Sequence, residues 1–186
     1  MRLYRLIGVI VDPVIRLIST AAAESRINVG DVAADFCLRD QHGQAHGPGD
    51  YKDRWMLLYF YPKDDTPGCT TEACAFRDDM VEMRRLNVAV LGISTDDVNS
   101  HGEFARKYHL PFPLLSDSGG AVARAYGSLM GLGPFRFAKR RTFIVRPGGK
   151  VAKIYRKVHP KTHSQQVITD LRALGAGVST KERQKL

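Results

Sequence analysis

The apolar residues of this chain follow two patterns: short continuous runs, and positions that recur at a helical spacing. Continuous apolar runs at Trp55–Tyr61 and Val88–Ile93 are typical of strands buried on both faces of a sheet. Between them, from Cys69 to Leu86, apolar positions recur at the spacing of one helix face. The pattern therefore predicts a strand, a helix and a second strand in the central part of the chain.

Weaker signals extend this order in both directions. Phe36–Leu38 indicates a short strand that ends in the turn Asp40–Gly43, and Ser100 with Glu103 has the spacing of a helix capping box. The later predicted elements are a short strand, a helix, a hairpin and a last helix, at Leu114–Leu115, Gly120–Tyr126, Thr142–Val145 with Val151–Tyr155, and Ser164–Leu174. Strands and helices in this order predict an α/β layer sandwich, with a mixed central sheet flanked by helices.

The predicted domain occupies residues 29–176, between an N-terminal extension (1–28) and a basic tail (177–186). Apolar residues from Leu3 to Ala21 share one helical stripe, which Pro13 interrupts. We interpret residues 1–26 as a poorly ordered extension, with a signal peptide, an organelle-targeting peptide and a membrane-surface helix as alternatives. A cytoplasmic location is expected, while membrane association, export or organelle import through this segment stays open.

The chain of 186 residues carries a formal net charge of +9, from 28 Lys and Arg against 19 Asp and Glu. The excess is concentrated after residue 135, where fourteen basic residues are opposed only by Asp170 and Glu182. Such a surface attracts polyanions, so a nucleic-acid-binding module is one hypothesis. A solvated basic surface is favoured, because no recognition motif interleaves these charges.

Three cysteines, Cys37, Cys69 and Cys74, are too few for a disulfide scaffold and favour working thiols in a reducing compartment. A zinc or iron–sulfur site needs about four ligands, so no metal is expected. If Cys69 and Cys74 both lie on a helix, their Cα atoms are roughly 8.5 Å apart. A disulfide seldom spans more than ~7 Å. The pair therefore suits a conditional bond, formed when the helix start unwinds, better than a permanent one.

Cys69 has the position of a reactive thiol, because it follows a Thr-Pro-Gly turn at the start of the predicted helix. Unpaired N–H groups and the helix dipole stabilise a thiolate there. Thr66, three residues earlier, can place its hydroxyl beside the sulfur. Cys74 lies deeper in the helix among apolar neighbours, so we expect it to be the less activated thiol.

The segment FYPKDDTPGCTTEACAFRD resembles the active-site segment of the peroxiredoxins, whose pattern of Pro, Thr or Ser, and Cys is met here by Pro62, Thr66 and Cys69. A second cysteine five residues later resembles the Q-type subgroup, also called bacterioferritin comigratory protein. The likeness covers about residues 29–174 and includes the segments LGISTDD, KYHLPFPLLSD and RTFIV.

The resemblance implies a thioredoxin-like fold and an enzyme that reduces hydrogen peroxide and organic hydroperoxides without a metal, flavin or haem. It implies that Cys69 is the peroxidatic thiolate, that Cys74 is the resolving thiol, and that thioredoxin or a similar dithiol protein reduces their disulfide. Thr66 is expected to bind the peroxide and Pro62 to shield the sulfur from water. Cys37 is interpreted as a half-buried spectator, with a second resolving thiol as the alternative. A monomer is expected.

The family also uses an arginine three residues before an aromatic residue, which here is Arg140 before Phe143. Because side chains alternate along a strand, Arg140 and Arg141 point to opposite faces, and only one of them can reach the site. We choose Arg140. Glu72 matches a family Glu or Gln that orients this arginine.

Two rival functions would use some of the same residues, either the cysteines or the basic surface. A peroxide sensor would form the same sulfenic acid and disulfide but pass them to a partner, and recycling by thioredoxin separates it from a peroxidase. A nucleic-acid-binding module would bind DNA in a salt-sensitive way that survives Cys69→Ser. A disulfide isomerase is disfavoured because the chain has no Cys-x-x-Cys. The peroxidase is the preferred hypothesis.

Overall fold

The core of this protein is a mixed sheet between two layers of helices. The computed structural model describes residues 27–132 and 135–177, so the predicted stripe at residues 3–21 and the basic tail beyond 177 lie outside the described residues. The strands are β1 (Leu38–Arg39), β2 (Ala45–His46), β3 (Trp55–Phe60), β4 (Val88–Ser94), β5 (Leu114–Ser116), β6 (Leu129–Leu132), β7 (Phe135–Ala138), β8 (Arg141–Val145) and β9 (Val151–Tyr155). The main sheet has the order β2-β1-β5-β4-β3-β8-β9, and β6 pairs with β7. Since β3 runs parallel to β4 and antiparallel to β8, the predicted mixed sheet is confirmed.

Helices cover this sheet on both faces. They are α1 (Pro67–Asp78), α2 (Met80–Arg85), α3 (Val98–Tyr108), α4 (Ala121–Ala125) and α5 (His163–Ala173), with a short 3₁₀ helix at Pro48–Tyr51. Buried residues of α1, α2, α3 and α5 pack together on one face of the sheet, and those of α4 pack on the other. Within the two described ranges, no helix has the length and apolar character needed to cross a bilayer.

Strand β3 lies at the centre of both cores. All of its residues are buried, as the apolar run predicted. Leu57 and Tyr59 belong to the core beneath α1, whereas Leu58 and Phe60 belong to the core beneath α4. Because β3 leads through a short loop into α1, the start of α1 lies at the carboxyl edge of the central strands, where open α/β sheets form their sites.

The long helix expected over residues 69–86 is two helices. It begins earlier, at Pro67, and is broken at Asp79. The Asp79 carboxylate accepts a hydrogen bond from the side-chain amide of Gln165 on α5, at 2.8 Å. Aspartate is a poor residue for a helix interior, which is consistent with a helix end at this position. The buried stripe continues across the break.

Three smaller predictions are corrected. The capping box at Ser100 is wrong, because the cap of α3 is Asp97, whose side chain accepts from the Ser100 N–H at 2.8 Å. The strand expected from Phe36 begins only at Leu38, and Cys37 is exposed instead of half-buried. The β6–β7 hairpin was not predicted at all.

Candidate active site

The start of α1 surrounds a buried cysteine with unpaired backbone donors. Cys69 is the third residue of this helix, and its side chain is buried. Pro67 has no N–H, and the first intrahelical hydrogen bond runs from the Thr70 N–H to the Thr66 carbonyl, at 2.8 Å. The N–H groups of Gly68 and Cys69 therefore have no acceptor within the helix. Such a helix start favours negative charge on a ligand or on a thiolate.

An arginine from a neighbouring strand lies against the cysteine sulfur. Arg140 immediately precedes β8, whose first residue Arg141 pairs with Phe60 at the end of β3. Nη2 of Arg140 donates a hydrogen bond to Sγ of Cys69 at 3.2 Å, and Nη1 donates to a carboxylate oxygen of Glu72. Arg141 points to the opposite face and donates to a backbone carbonyl there. The structure thus brings Cys69, Glu72 and Arg140 together.

Burial and ion pairing set the charges at this site. Glu72 is fully buried, which raises its pKa to about 7, and the guanidinium of Arg140 works against that rise. Burial lowers the pKa of Arg140, but the negative charges of Glu72 and Cys69 raise it more, so it stays above its ordinary value. Burial, with a smaller contribution from the Glu72 charge, also keeps the pKa of Tyr59 well above the usual range. Arg140 is therefore a permanent positive charge beside the Cys69 sulfur.

The residue before the cysteine has little room for a side chain. A Cβ on Gly68 would lie 3.2 Å from Nη2 of Arg140 and 4.0 Å from Cγ of Pro160. A larger residue at Gly68 would therefore displace the guanidinium that contacts the sulfur. Pro160 belongs to the loop between β9 and α5, so this loop borders the site.

The other predicted site residues lie on the same loop and helix. The hydroxyl of Thr66 donates to the Lys63 carbonyl at 3.0 Å, which leaves its oxygen lone pairs to accept from a ligand. Pro62 is half-buried at the beginning of this loop. Cys74 is half-buried further along α1, and both Cys69 and Cys74 are free thiols. Because both are helical, the intact helix holds them apart.

A buried polar network that the sequence reasoning missed supports this loop. Asp64 and His101 form a buried pair, with 2.8 Å between Oδ2 and Nδ1. Asp64 also accepts from the hydroxyls of Tyr61 and Ser100, at 2.7 and 2.8 Å. The network ties the loop before α1 to the start of α3. His101 recurs with Phe104 on the buried face of α3, and this helical spacing is the signal that could have revealed a buried histidine.

A second buried histidine lies behind the site. Nε2 of His163, the first residue of α5, is 2.8 Å from the hydroxyl of Thr142 on β8. Its ring packs edge-on against the rings of Phe76 and Tyr155. Burial lowers the pKa of His163 to about 4, so the ring is neutral at neutral pH. These contacts hold α1, α5 and the β8–β9 hairpin together.

The grouped residues suit a sulfur nucleophile. A thiolate on Cys69 is stabilised by Arg140 and by the start of α1, and the same donors are available to an oxygen atom that approaches the sulfur. In residues 27–132 and 135–177, no cluster of three or more His, Cys, Asp or Glu side chains is arranged to hold a metal ion. The contact of Arg140 with the Cys69 sulfur, at the start of α1, supports attack of sulfur on a small electrophile.

Known proteins resemble this chain across most of the domain. The AhpC/TSA family matches residues 29–154, which include every site residue predicted from the sequence. Peroxiredoxin Q, chloroplastic, of Oryza sativa subsp. japonica is 40% identical over 153 residues, which are 80% of this chain and 69% of that protein.

Solved structures share the fold at similar identity. Peroxidoxin BcpB from Mycobacterium tuberculosis is 35% identical, with a TM-score of 0.76 over 81% of this chain and 100% of its own. The bacterioferritin comigratory protein of Xanthomonas campestris, described for its alkyl peroxide reduction activity, is 32% identical. Its TM-score is 0.72, over 80% of this chain and 97% of that one.

Proposed function

The chain belongs to the AhpC/TSA family, among its peroxiredoxin Q and Bcp proteins, and on that premise we propose how its residues carry out catalysis. It is a thiol peroxidase that consumes peroxides and is returned to its reduced form by a thiol compound. Our proposal is that Cys69 reacts with hydrogen peroxide and organic hydroperoxides, that Cys74 resolves the product, and that thioredoxin recycles the enzyme. Alkyl peroxide reduction by the Xanthomonas campestris relative supports the organic substrates.

In the first step, the Cys69 thiolate attacks the terminal oxygen of the peroxide. A sulfur–oxygen bond forms as the O–O bond breaks, sulfur loses two electrons to become a sulfenic acid, and the departing oxygen takes up a proton to leave as water or alcohol. Nη2 of Arg140, 3.2 Å from the sulfur, is placed to stabilise the negative charge that spreads onto these oxygens. Glu72 fixes the guanidinium, the Thr66 hydroxyl can accept the peroxide proton in a hydrogen bond, and Pro62 screens the sulfur from water.

In the second step, Cys74 forms a disulfide with the oxidised Cys69. Its sulfur displaces the sulfenic hydroxyl, which leaves as water with one proton. Both cysteines lie on α1, where roughly 8.5 Å would separate their Cα atoms, whereas a disulfide seldom spans more than ~7 Å. The first turns of α1 must therefore unwind before the bond can form. Since both cysteines belong to one chain, the cycle needs no second copy, which supports a monomeric working form.

The observation that carries the proposal is the contact of Arg140 with the Cys69 sulfur, backed by Glu72. Peroxide-dependent NADPH consumption in the presence of thioredoxin and its reductase tests it. Wild type should consume hydrogen peroxide and cumene hydroperoxide, and Cys69→Ser should be inactive, because a serine hydroxyl is not ionised here. Cys37→Ser is the control, since it removes an exposed thiol outside the site. Activity of Cys69→Ser within about threefold of wild type would contradict the assignment.

A further inference from the structure

One edge of the sheet collects basic side chains around the site. Strands β8 and β9 are antiparallel, and Thr142 near the start of β8 pairs with Tyr155 at the end of β9. The loop after β9, residues 156–162, therefore starts at the edge where the active-site arginine precedes β8. We name it the basic loop, because it carries three cations and residues 156–169 contain no acidic residue. The cations are Arg156, Lys157 and Lys161.

The basic loop combines contact with the site and available charge. Its Pro160 lies 4.0 Å from the position that a Cβ of Gly68 would take, next to the reactive cysteine. The three cationic side chains are exposed. In the part of the chain that the structure describes, none of them forms an ion pair.

Acidic groups near the reactive cysteine do not balance these charges. On the loop and helix that carry Cys69, three acidic residues have a cationic or histidine partner: Glu72 with Arg140, Asp64 with His101, and Asp65 with Lys107. Glu72 and Asp64 are themselves buried, so their carboxylates are not presented to an approaching molecule. The border of the site on the β9 side therefore offers unpaired positive charge to whatever approaches the cysteine.

We propose that the basic loop is the docking surface for an acidic dithiol protein that reduces the Cys69–Cys74 disulfide, an inference that rests on the proposed peroxidase cycle. Hydrogen peroxide is neutral and gains nothing from fixed charge at a distance, whereas a charged protein partner is both steered and oriented by it. A partner thiolate attacks one sulfur of the disulfide and forms a mixed disulfide, which the second partner thiol then displaces. Two electrons pass to Cys69 and Cys74, the two partner protons end on them, and the partner leaves as a disulfide.

The β8–β9 hairpin supplies a matched control at its other end. Arg146 and Lys150 are exposed in the turn that joins these strands. The 5 residues of β9 separate this turn from the basic loop, which is about 17 Å at the usual strand rise. At physiological salt the screening length is about 8 Å. Charge changes in the turn therefore alter the net charge equally while leaving the field at the site almost unchanged.

The experiment compares Lys157→Glu/Lys161→Glu with Arg146→Glu/Lys150→Glu in the full-length chain. Each variant is assayed with two reductants, an acidic thioredoxin and the neutral dithiol dithiothreitol, across a salt series. The basic-loop variant should lose about tenfold or more in kcat/KM for thioredoxin and most of its salt dependence, and the turn variant less than about twofold. Turnover with dithiothreitol and the single reaction of Cys69 with hydrogen peroxide should be unchanged in both variants.

Three results would overturn the proposal. Equal losses in the two variants would show an effect of net charge alone, and no loss in either would show that the basic loop plays no part in docking. A selective loss with linoleate hydroperoxide but not with cumene hydroperoxide, at an unchanged thioredoxin rate, would assign the loop to anionic substrates instead. Failure of the wild type to turn over with dithiothreitol would refute the peroxidase cycle itself. That result differs from a failure of the docking proposal, in which turnover with dithiothreitol is normal.

Discussion

Replacing Arg140 with alanine tests how far the peroxide reaction depends on the guanidinium. The substitution removes the hydrogen bond from Nη2 to the Cys69 sulfur, at 3.2 Å, and the ionic partner of Glu72. A hydrogen bond to a charged group contributes about 1.5–3 kcal/mol. Since about 1.4 kcal/mol corresponds to tenfold in rate, we expect the rate constant with hydrogen peroxide to fall between about tenfold and about 150-fold.

The same substitution leaves the Glu72 carboxylate buried without its cation. An unpaired buried charge costs about 3–5 kcal/mol if it stays ionised. Glu72 avoids part of this cost by taking up a proton, because burial already raises its pKa to about 7 in the presence of Arg140. A carboxyl whose pKa is higher in the folded than in the unfolded state makes folding more stable at low pH and less stable as the pH rises. The free energy of unfolding of Arg140→Ala should therefore decrease as the pH rises from acid to neutral and alkaline values.

A second substitution separates stability from catalysis. Adding Glu72→Gln to Arg140→Ala removes the unpaired carboxylate, so the free energy of unfolding should recover while the peroxide rate stays low. Rapid quenching and mass spectrometry of Cys69 measure the rate, and urea unfolding across pH measures stability. Arg141→Ala is the matched control and should keep the rate within about twofold, because Arg141 lies on the opposite face. A larger loss with Arg141→Ala than with Arg140→Ala, or recovery of the rate in the double variant, would refute the reasoning.

Further predictions concern the resolving thiol and the two buried histidines. Cys74→Ser should react once with peroxide and accumulate sulfenic acid on Cys69, which excess peroxide converts to sulfinic acid, and mass spectrometry checks both products. In wild type, oxidation should remove hydrogen-exchange protection from the first turns of α1 but not from β3, so unchanged protection in α1 would contradict the unwinding step. The pKa of His163 is lowered from 6.5 to about 4 in the folded protein, so the unfolded chain binds a proton first as the pH falls. The free energy of unfolding should therefore decrease by about 3 kcal/mol as the pH drops across that range. Urea unfolding of wild type and His163→Gln measures this loss, and equal pH dependence in the two proteins would count against it. His101→Leu removes one of the three side-chain partners of Asp64 and should slow the peroxide reaction about tenfold, whereas His101→Asn, which keeps a donor, should slow it less. Equal stopped-flow rates for these two variants would exclude that role.

Several elements were missed or corrected because their determinants are distant in sequence. At the break, Asp79 accepts a hydrogen bond from Gln165, which is 86 residues away, and no local pattern announces that contact. The β6–β7 hairpin exposes Met130 and Phe135, so the apolar residues of its short strands do not mark one buried face. Ser100 has the spacing of a cap, but its hydroxyl donates to Asp64 instead.

The sequence by itself determined the order of the elements around β3 and α1 and the position of the reactive cysteine. These features depend on periodicity and on the chemistry of a helix start, which a few neighbouring residues specify. Alternation along a strand also indicated that only one of Arg140 and Arg141 could reach the site, and the family's spacing to Phe143 favoured Arg140. The contact of Arg140 with the Cys69 sulfur is a feature of the tertiary structure, because it depends on the pairing of β8 with β3. Burial decided the rest: the charges of Glu72 and His163 depend on how much water surrounds them, and that is a property of the packed chain and not of any segment.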